Sequence, residues 1–183
     1  MLKLTGGDQQ GRALKWLDIP EIRPTPARVR EALCNILSDR LPQAVCWDLC
    51  AGSGGVGLEF LSRGAAEVSF IEHNRRAMTL VRQNIRDLGW EKQTRFFQGD
   101  LVRFLKLQKT LTPDLIYCDP PYDGSLYQKS LAHLAELPLA NERCLLIIEY
   151  RRRKQSWQLL EPWVIIDERT YGDTCLAFLE RTK

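Results

Sequence analysis

The sequence predicts an α/β domain on a mostly parallel sheet, with helices on both faces and an antiparallel hairpin at its C-terminal end. Three observations predict it. From residue 44 onward, apolar runs of strand length alternate with stretches of helical period. Glycines gather directly after the first run, at Gly52, Gly54, Gly55 and Gly57. The last two runs are parted only by Tyr171-Gly172-Asp173, a hairpin turn.

The first 43 residues differ from the rest. Gly6-Gly7 and Gly11 punctuate short polar segments and predict a small β-hairpin. Residues 1–22 thus read as an N-terminal extension, and 23–183 as the main domain. Thr25-Pro26 predicts a helix start, with the threonine hydroxyl at the N-cap and proline at the first helical position. Val29, Leu33, Ile36 and Leu37 supply its buried stripe, and Arg28 and Arg30 lie off it. Strands are predicted at 44–50, 67–72, 94–98, 114–119, 143–150, 162–170 and 174–181. Between them, Val56, Leu58, Phe60 and Leu61 fill a helix that ends at Gly64. Ala77, Leu80, Val81, Asn84, Ile85 and Leu88 recur at helical spacing before a stop at Gly89. Residues 124–137 form a third such helix, with Leu126, Leu131, Leu134 and Leu137 on its apolar face. No repeat, linker or low-complexity tract interrupts the chain.

With 183 residues, one core forms without help from disulfides or metal. The chain is 44% hydrophobic and 27% charged, the balance of a soluble globule. No apolar stretch reaches membrane-spanning length and no signal-peptide pattern follows Met1, so a cytoplasmic monomer with no membrane contact is expected. Cys34, Cys46, Cys118 and Cys144 sit in or beside apolar runs, as small hydrophobes do. Three residues separate Cys46 from Cys50, not the two of common zinc or redox motifs, and His73 and His133 are the chain's two histidines. The cysteines therefore read as reduced thiols, with no metal. The net charge of +3 is mild, but Lys3, Arg12, Lys15, Arg23, Arg28 and Arg30 crowd the first 30 residues against Asp8, Asp18 and Glu21. Arg151-Arg152-Arg153-Lys154 is a second basic block.

Asp48-Leu-Cys-Ala-Gly52-Ser53-Gly54-Gly55-Val56-Gly57 lies at a strand-to-helix junction, where glycines let backbone turn sharply and approach a ligand. Glu72 ends the second strand, where a carboxylate takes ribose hydroxyls. The spacing of Gly52, Gly54 and Gly57 also fits a dinucleotide fingerprint, so this segment alone does not separate NAD from S-adenosylmethionine. Two features favour the methyl donor. Gly99-Asp100 sets a carboxylate at the third strand's end, in reach of an adenine amino group. Asp119-Pro120-Pro121-Tyr122 follows the fourth strand, and prolines stiffen the chain there. An amino nitrogen on a nucleobase is a poor nucleophile because its lone pair is delocalised. Accepting its hydrogens at Asp119 and at the Pro120 carbonyl favours pyramidalisation, while Tyr122 stacks on the ring. A base inside folded nucleic acid reaches such a pocket only when flipped or already unstacked. The N-terminal hairpin would grip neighbouring phosphates.

These residues resemble the 16S ribosomal RNA guanine-N2 methyltransferase family of the RsmD type, over nearly the whole chain. The resemblance is carried by Gly6-Gly7 with Gly11-Arg12, and by Arg23-Pro24-Thr25 continuing to Arg28-Val29-Arg30-Glu31-Ala32. Asp48 through Glu59, Ser62-Arg63-Gly64-Ala65-Ala66, Ile71-Glu72, Asp119-Pro120-Pro121-Tyr122 and Tyr171-Gly172 carry it further. It implies a Rossmann-like class I methyltransferase with a seven-stranded sheet, S-adenosyl-L-methionine as cofactor, and 16S rRNA or a small-subunit assembly intermediate as partner. The cofactor set it implies is Thr25, Arg28, Asp48, Cys50, Ala51, Gly52, Ser53, Gly54, Glu72, His73, Gly99, Asp100 and Leu101. The catalytic set is Asp119, Pro120, Pro121 and Tyr122, and the RNA set Lys3, Arg12, Lys15, Arg23 and Arg30. His73-Asn74 departs from the family's usual apolar-acid pair, and Arg151–Lys154 is more basic than its pattern. The alternatives are a DNA adenine or cytosine amino-methyltransferase, an NAD-dependent oxidoreductase and a non-catalytic RNA-binding module. A methyltransferase acting on protein glutamine carries Asn where this chain has Asp119.

Overall fold

The computed structural model describes all residues except 1, 17, 19–21, 121–124, 139, 153–157, 160 and 183. Its helices are α1 (Ala27–Ile36), α2 (Gly55–Ser62), α3 (Arg75–Leu88), α4 (Leu101–Leu107) and α5 (Ser125–Glu136). The strands are β1 (Val45–Leu49), β2 (Glu67–Glu72), β3 (Thr94–Gln98), β4 (Leu115–Cys118), β5 (Leu145–Arg151), β6 (Trp163–Tyr171) and β7 (Thr174–Arg181). Among the described residues these form one sheet, in the order β3-β2-β1-β4-β5-β7-β6. The pairs from β3 to β5 are parallel, and β7 runs antiparallel to both β5 and β6. The expected sheet and closing hairpin are both present. The α4 helix is additional to the expected elements: its buried Leu101, Phe104 and Leu105 follow the helical i, i+3, i+4 spacing, but over only seven residues.

Side chains alternate between two cores. Leu115, Tyr117, Leu145 and Ile147 face the layer that holds residues of α1, α2 and α3. Ile116, Cys118, Leu146 and Ile148 face the layer that holds residues of α4 and α5. Both faces are covered, so the central strands read as continuous apolar runs. Among the described residues no helix is long and apolar enough to cross a membrane.

The α2 helix, Gly-Val-Gly-Leu-Glu-Phe-Leu-Ser, is buried along its whole length, and its polar residues Glu59 and Ser62 lie three apart on one face. The N-terminal extension covers part of it. In place of a full hairpin there is one antiparallel bridge, Lys3 to Ala13, flanked by hydrogen bonds from Leu4 N to the Arg12 carbonyl and from Leu14 N to the Leu2 carbonyl. Leu4 and Leu14 join the α1–α3 core. The Ser62 hydroxyl donates to the Gly6 carbonyl at 2.6 Å, and Asp8 N donates to the Ser62 carbonyl at 2.7 Å.

Arg30 corrects an expectation. It is 1% exposed and offers no face to RNA. Its Nε donates to Oε1 of Glu59 at 3.3 Å, its Nη1 to the Thr25 carbonyl at 2.7 Å and its Nη2 to the Lys3 carbonyl at 2.7 Å. Glu59, in the middle of α2, is fully buried and also accepts from Thr5 N at 2.8 Å. Glu59→Ala would strand the guanidinium in the core, and is expected to cost about 3–5 kcal/mol of stability. A lowered urea midpoint would show this. An unchanged midpoint would mean that the pair does not anchor the extension.

Candidate active site

The strand order reverses between β1 and β4, and in such sheets the crevice outside the carboxyl ends of the strands is where ligands bind. After β1 the chain turns through Cys50 at φ 62°, a left-handed value that is costly for a residue with a side chain. Glycine is obligatory at two positions just beyond this turn. A Cβ on Gly54, at φ 75°, would stand 2.9 Å from Val81, and one on Gly57 would stand 2.4 Å from Phe70. This close seating brings Gly57 N to Oδ2 of Asp48 at 2.9 Å. Glu72, buried at the end of β2, accepts from Gly52 N at 2.7 Å and Asn74 N at 2.6 Å. The exposed His73 sets its Nδ1 3.1 Å from Glu72 Oε1.

The crevice has two lobes that meet at Cys50. Arg23, Pro24, Thr25, Asp48, Ala51, Gly52, Ser53, Tyr117 and Asp119 line the front lobe. Ile71, Glu72, His73, Gly99, Asp100, Leu101 and Leu126 line the back one. Gly54 lies buried at the head of α2. Each lobe has about 30 Å³ of room among the described residues. Asp100 is exposed and caps α4, its Oδ1 accepting from Arg103 N at 2.9 Å.

Two residues depart from their expected places. Arg28, in the first turn of α1, is not among the residues that line either lobe, and its Nη2 lies 3.5 Å from the Tyr171 carbonyl at the β6–β7 turn. Thr25 does not cap α1: the helix starts at Ala27 with Pro26 in the cap position and no side-chain cap. The Thr25 hydroxyl lies instead 3.3 Å from the Tyr117 hydroxyl.

Asp119 follows β4 directly and is half-buried, with its N–H 3.4 Å from the Leu49 carbonyl. Pro120 is buried, whereas Pro121 and Tyr122 lie outside the described residues. Behind Asp119 stands a pair that sequence reasoning missed. The Tyr117 hydroxyl donates to Oε2 of Glu149, which is buried on the neighbouring strand β5. The Tyr127 hydroxyl donates to the Glu149 carbonyl at 2.6 Å. The available signal is a lone acid within Leu-Leu-Ile-Ile-Glu149-Tyr, an apolar strand with no sequence reason to carry a charge.

Burial, then the charges of Glu149 and Asp48, push the Asp119 carboxyl well above the ordinary carboxylate range, and Arg151 draws it part of the way back. Burial likewise raises Glu149, against hydrogen bonds from Tyr117 and Thr25 and the charge of Arg151. Burial therefore favours the protonated form of these carboxyls, and a cation beside them would favour the carboxylate, the form that accepts a proton from an amine. Of the basic residues proposed for nucleic acid, Lys3, Arg12, Lys15 and Arg23 are exposed, and Lys15 pairs with Asp87 at 2.7 Å.

The family model described as "Conserved hypothetical protein 95" matches residues 2–180. The "Ribosomal RNA small subunit methyltransferase D" of Escherichia coli K12 is 30% identical over 182 residues, covering 98% of this chain and 90% of that protein. The protein of the same name from Haemophilus influenzae is 30% identical over 175 residues, covering 93% and 89%. The solved structure of the Escherichia coli protein yhhF superposes with a TM-score of 0.88 at 28% identity, over 98% of this chain and 97% of that one.

Burial raises the Asp48 carboxyl from 3.8 to about 7, with the Gly57 N–H pulling it down and the charges of Glu72 and Glu149 pushing it up. Between those two values the native state holds a proton that the unfolded chain has lost. The contribution of Asp48 to stability is therefore full below the lower value and is lost as pH rises through the upper one. Asp48→Asn keeps an oxygen for Gly57 N and is expected to flatten that fall. Urea unfolding across a pH series checks it, and a slope equal to wild type would refute the assignment.

Proposed function

The chain belongs to the family described as "Conserved hypothetical protein 95", and from that premise we propose that it transfers a methyl group from S-adenosylmethionine to the N2 amino group of a guanine in 16S rRNA. The observation that carries the reading is the position of Asp119, at the tip of β4 in one lobe with Asp48 and the glycine loop. The names of the Escherichia coli and Haemophilus influenzae relatives support the substrate class.

The residues present fit the donor in kind. Glycines at 54 and 57 let the loop seat closely against Val81 and Phe70, Glu72 stands at the tip of β2 for a ribose, and the carboxylates of Asp48 and Asp119 would complement a sulfonium charge. When bound, S-adenosylmethionine supplies an electrophilic methyl group. Asp119 accepts a hydrogen bond from the guanine amino group and holds its lone pair in line. A new N–C bond would form as the C–S bond breaks, and positive charge would grow on nitrogen; with the donor's cation beside it, Asp119 would stand as the carboxylate that stabilises this charge and takes the proton. Burial and the charges of Glu149 and Asp48 raise the proton affinity of Asp119. Pro120 stiffens the turn, and the proposal extends to Pro121 and Tyr122 for the turn and for stacking. The extension of residues 1–22 would meet the RNA, with the enzyme acting as a cytoplasmic monomer.

The direct test incubates the protein with labelled donor and small-subunit RNA or particles, then maps modified nucleosides by mass spectrometry. One N2-methylguanosine is expected. Methyl groups on DNA adenine or cytosine would replace this conclusion, and transfer to neither would remove it. Asp119→Ala is expected to slow transfer by about 10²–10⁴-fold with cofactor affinity nearly unchanged. Activity equal to wild type would exclude the amine-holding role. Neutralising Lys3, Arg12 and Lys15 together should lower the slope of log affinity against log salt by about two units, at roughly 0.7 per phosphate contact on single strands. An unchanged slope would place the grip elsewhere.

A further inference from the structure

A groove of about 520 Å³ opens between the N-terminal extension and the approach to α1. It is far roomier than either lobe of the crevice, and Pro24 and Thr25 line both the groove and the front lobe. Whatever occupies it therefore lies next to whatever occupies the crevice. Leu2, Leu4, Pro24 and Trp16 give the groove apolar walls. Trp16 is 37% exposed, a large ring left partly in water on a wall otherwise shaped for contact. The charged side chains that line the groove are Lys3 and Arg30, with no carboxylate among the described residues. Arg30 is committed to Glu59 and two carbonyls, so Lys3, on the exposed rim, supplies the accessible positive charge.

We propose that this groove holds the unpaired nucleotide adjacent to the methylated guanine, with its base against the Trp16 indole and its phosphate near Lys3. The inference rests on the nucleic-acid substrate proposed above. Drawing one base out of its stack exposes a face of its neighbour, and an aromatic platform beside the crevice replaces the lost stacking. The volume lies in the range of small-ligand pockets, where a protein partner would need a contact of about 800 Å² on each side. Positive charge, with no acid among the described lining residues, favours a phosphate-bearing occupant.

The test compares the full chain with Trp16→Ala and Trp16→Phe. Steady-state methylation of small-subunit RNA is measured, together with photo-cross-linking of an oligonucleotide spanning the modified position. For Trp16→Ala, KM for RNA should rise roughly tenfold, the weight of one stacked base, with kcat and cofactor affinity unchanged. Trp16→Phe should restore most of the loss, and the wild-type cross-link should map to Trp16. An unchanged KM, or a loss that phenylalanine does not restore, overturns the proposal while leaving the methyltransferase reading in place. A cross-link at Trp16 in a protein that transfers no methyl group supports the groove and overturns the enzymatic reading. If Trp16→Ala does not fold, the Phe variant and the cross-link decide, and a cross-link to a ribosomal protein in assembled particles overturns the proposal.

Discussion

The buried contact between Arg30 and Glu59 is the constraint from which the rest of the active site takes its shape. Each charge, alone in the core, would cost several kcal/mol. Together they cost less, because the planar guanidinium reaches three oxygens at once: one on α2, one on the extension at Lys3 and one at Thr25. A lysine ammonium could not present that fork. The consequence is positional. The same side chain that neutralises Glu59 also holds the Thr25 carbonyl, and Thr25 with Pro24 and Arg23 forms the front wall of the crevice.

A second constraint follows from placing so many acids in one crevice. Buried carboxylates persist where donors meet them. Asp48 has the Gly57 N–H, Glu72 has Gly52 N and Asn74 N, and Glu149 has the Tyr117 hydroxyl. Two of these sets of donors come from the backbone of the glycine loop and the head of α2. The conformation that clears space for a ligand thus also supplies the hydrogen bonds that let acids stay beside it. Asp119, half-buried at the mouth of the front lobe, is set apart from these backbone-held acids. Burial, then its proximity to Glu149 and Asp48, makes its carboxyl hold a proton more firmly, so a cation beside it is what would favour the carboxylate that accepts a proton in methyl transfer.

The sequence carries the sheet well and the charge network poorly, for a physical reason. Strands at 67–72, 94–98 and 174–181 match the structure end for end, since turns and glycines close by mark where apolar runs stop. Local signals of that kind lie within a few residues of what they specify. The fate of Arg30 depends on Glu59, 29 positions away, and that of Tyr117 on Glu149, 32 away. Nothing local to Arg30 distinguishes a charge bound for the core from one bound for solvent, and the apolar run around Glu149 does not name its partner. Hence Arg30 reads as an RNA contact from its neighbours alone, and Glu149 draws no notice. Thr25 fails differently: its threonine-proline signal is a sound cap motif, but the hydroxyl finds Tyr117 instead. A clue of longer reach lies in α2, where only Glu59 and Ser62 break an apolar helix, so that most of its surface must be covered by other elements.

The sheet order explains why these parts converge. The β1, β2 and β3 strands build the half that carries the glycine loop, Glu72 and Asp100, whereas β4 and β5 build the half that carries Asp119 and Glu149. The seam between the halves is where β1 and β4 pair, with Leu49 opposite Cys118. One residue beyond that pair on each side stand Cys50 and Asp119, and both line the front lobe. A donor held by the first half and an amine held by the second would therefore meet over a single step of the ladder. The residue 22–26 segment crosses this seam from the outside, tied to one half through Arg30 and Glu59 and to the other through Thr25 and Tyr117. That segment also separates the crevice from the Trp16 groove, since Pro24 and Thr25 line both.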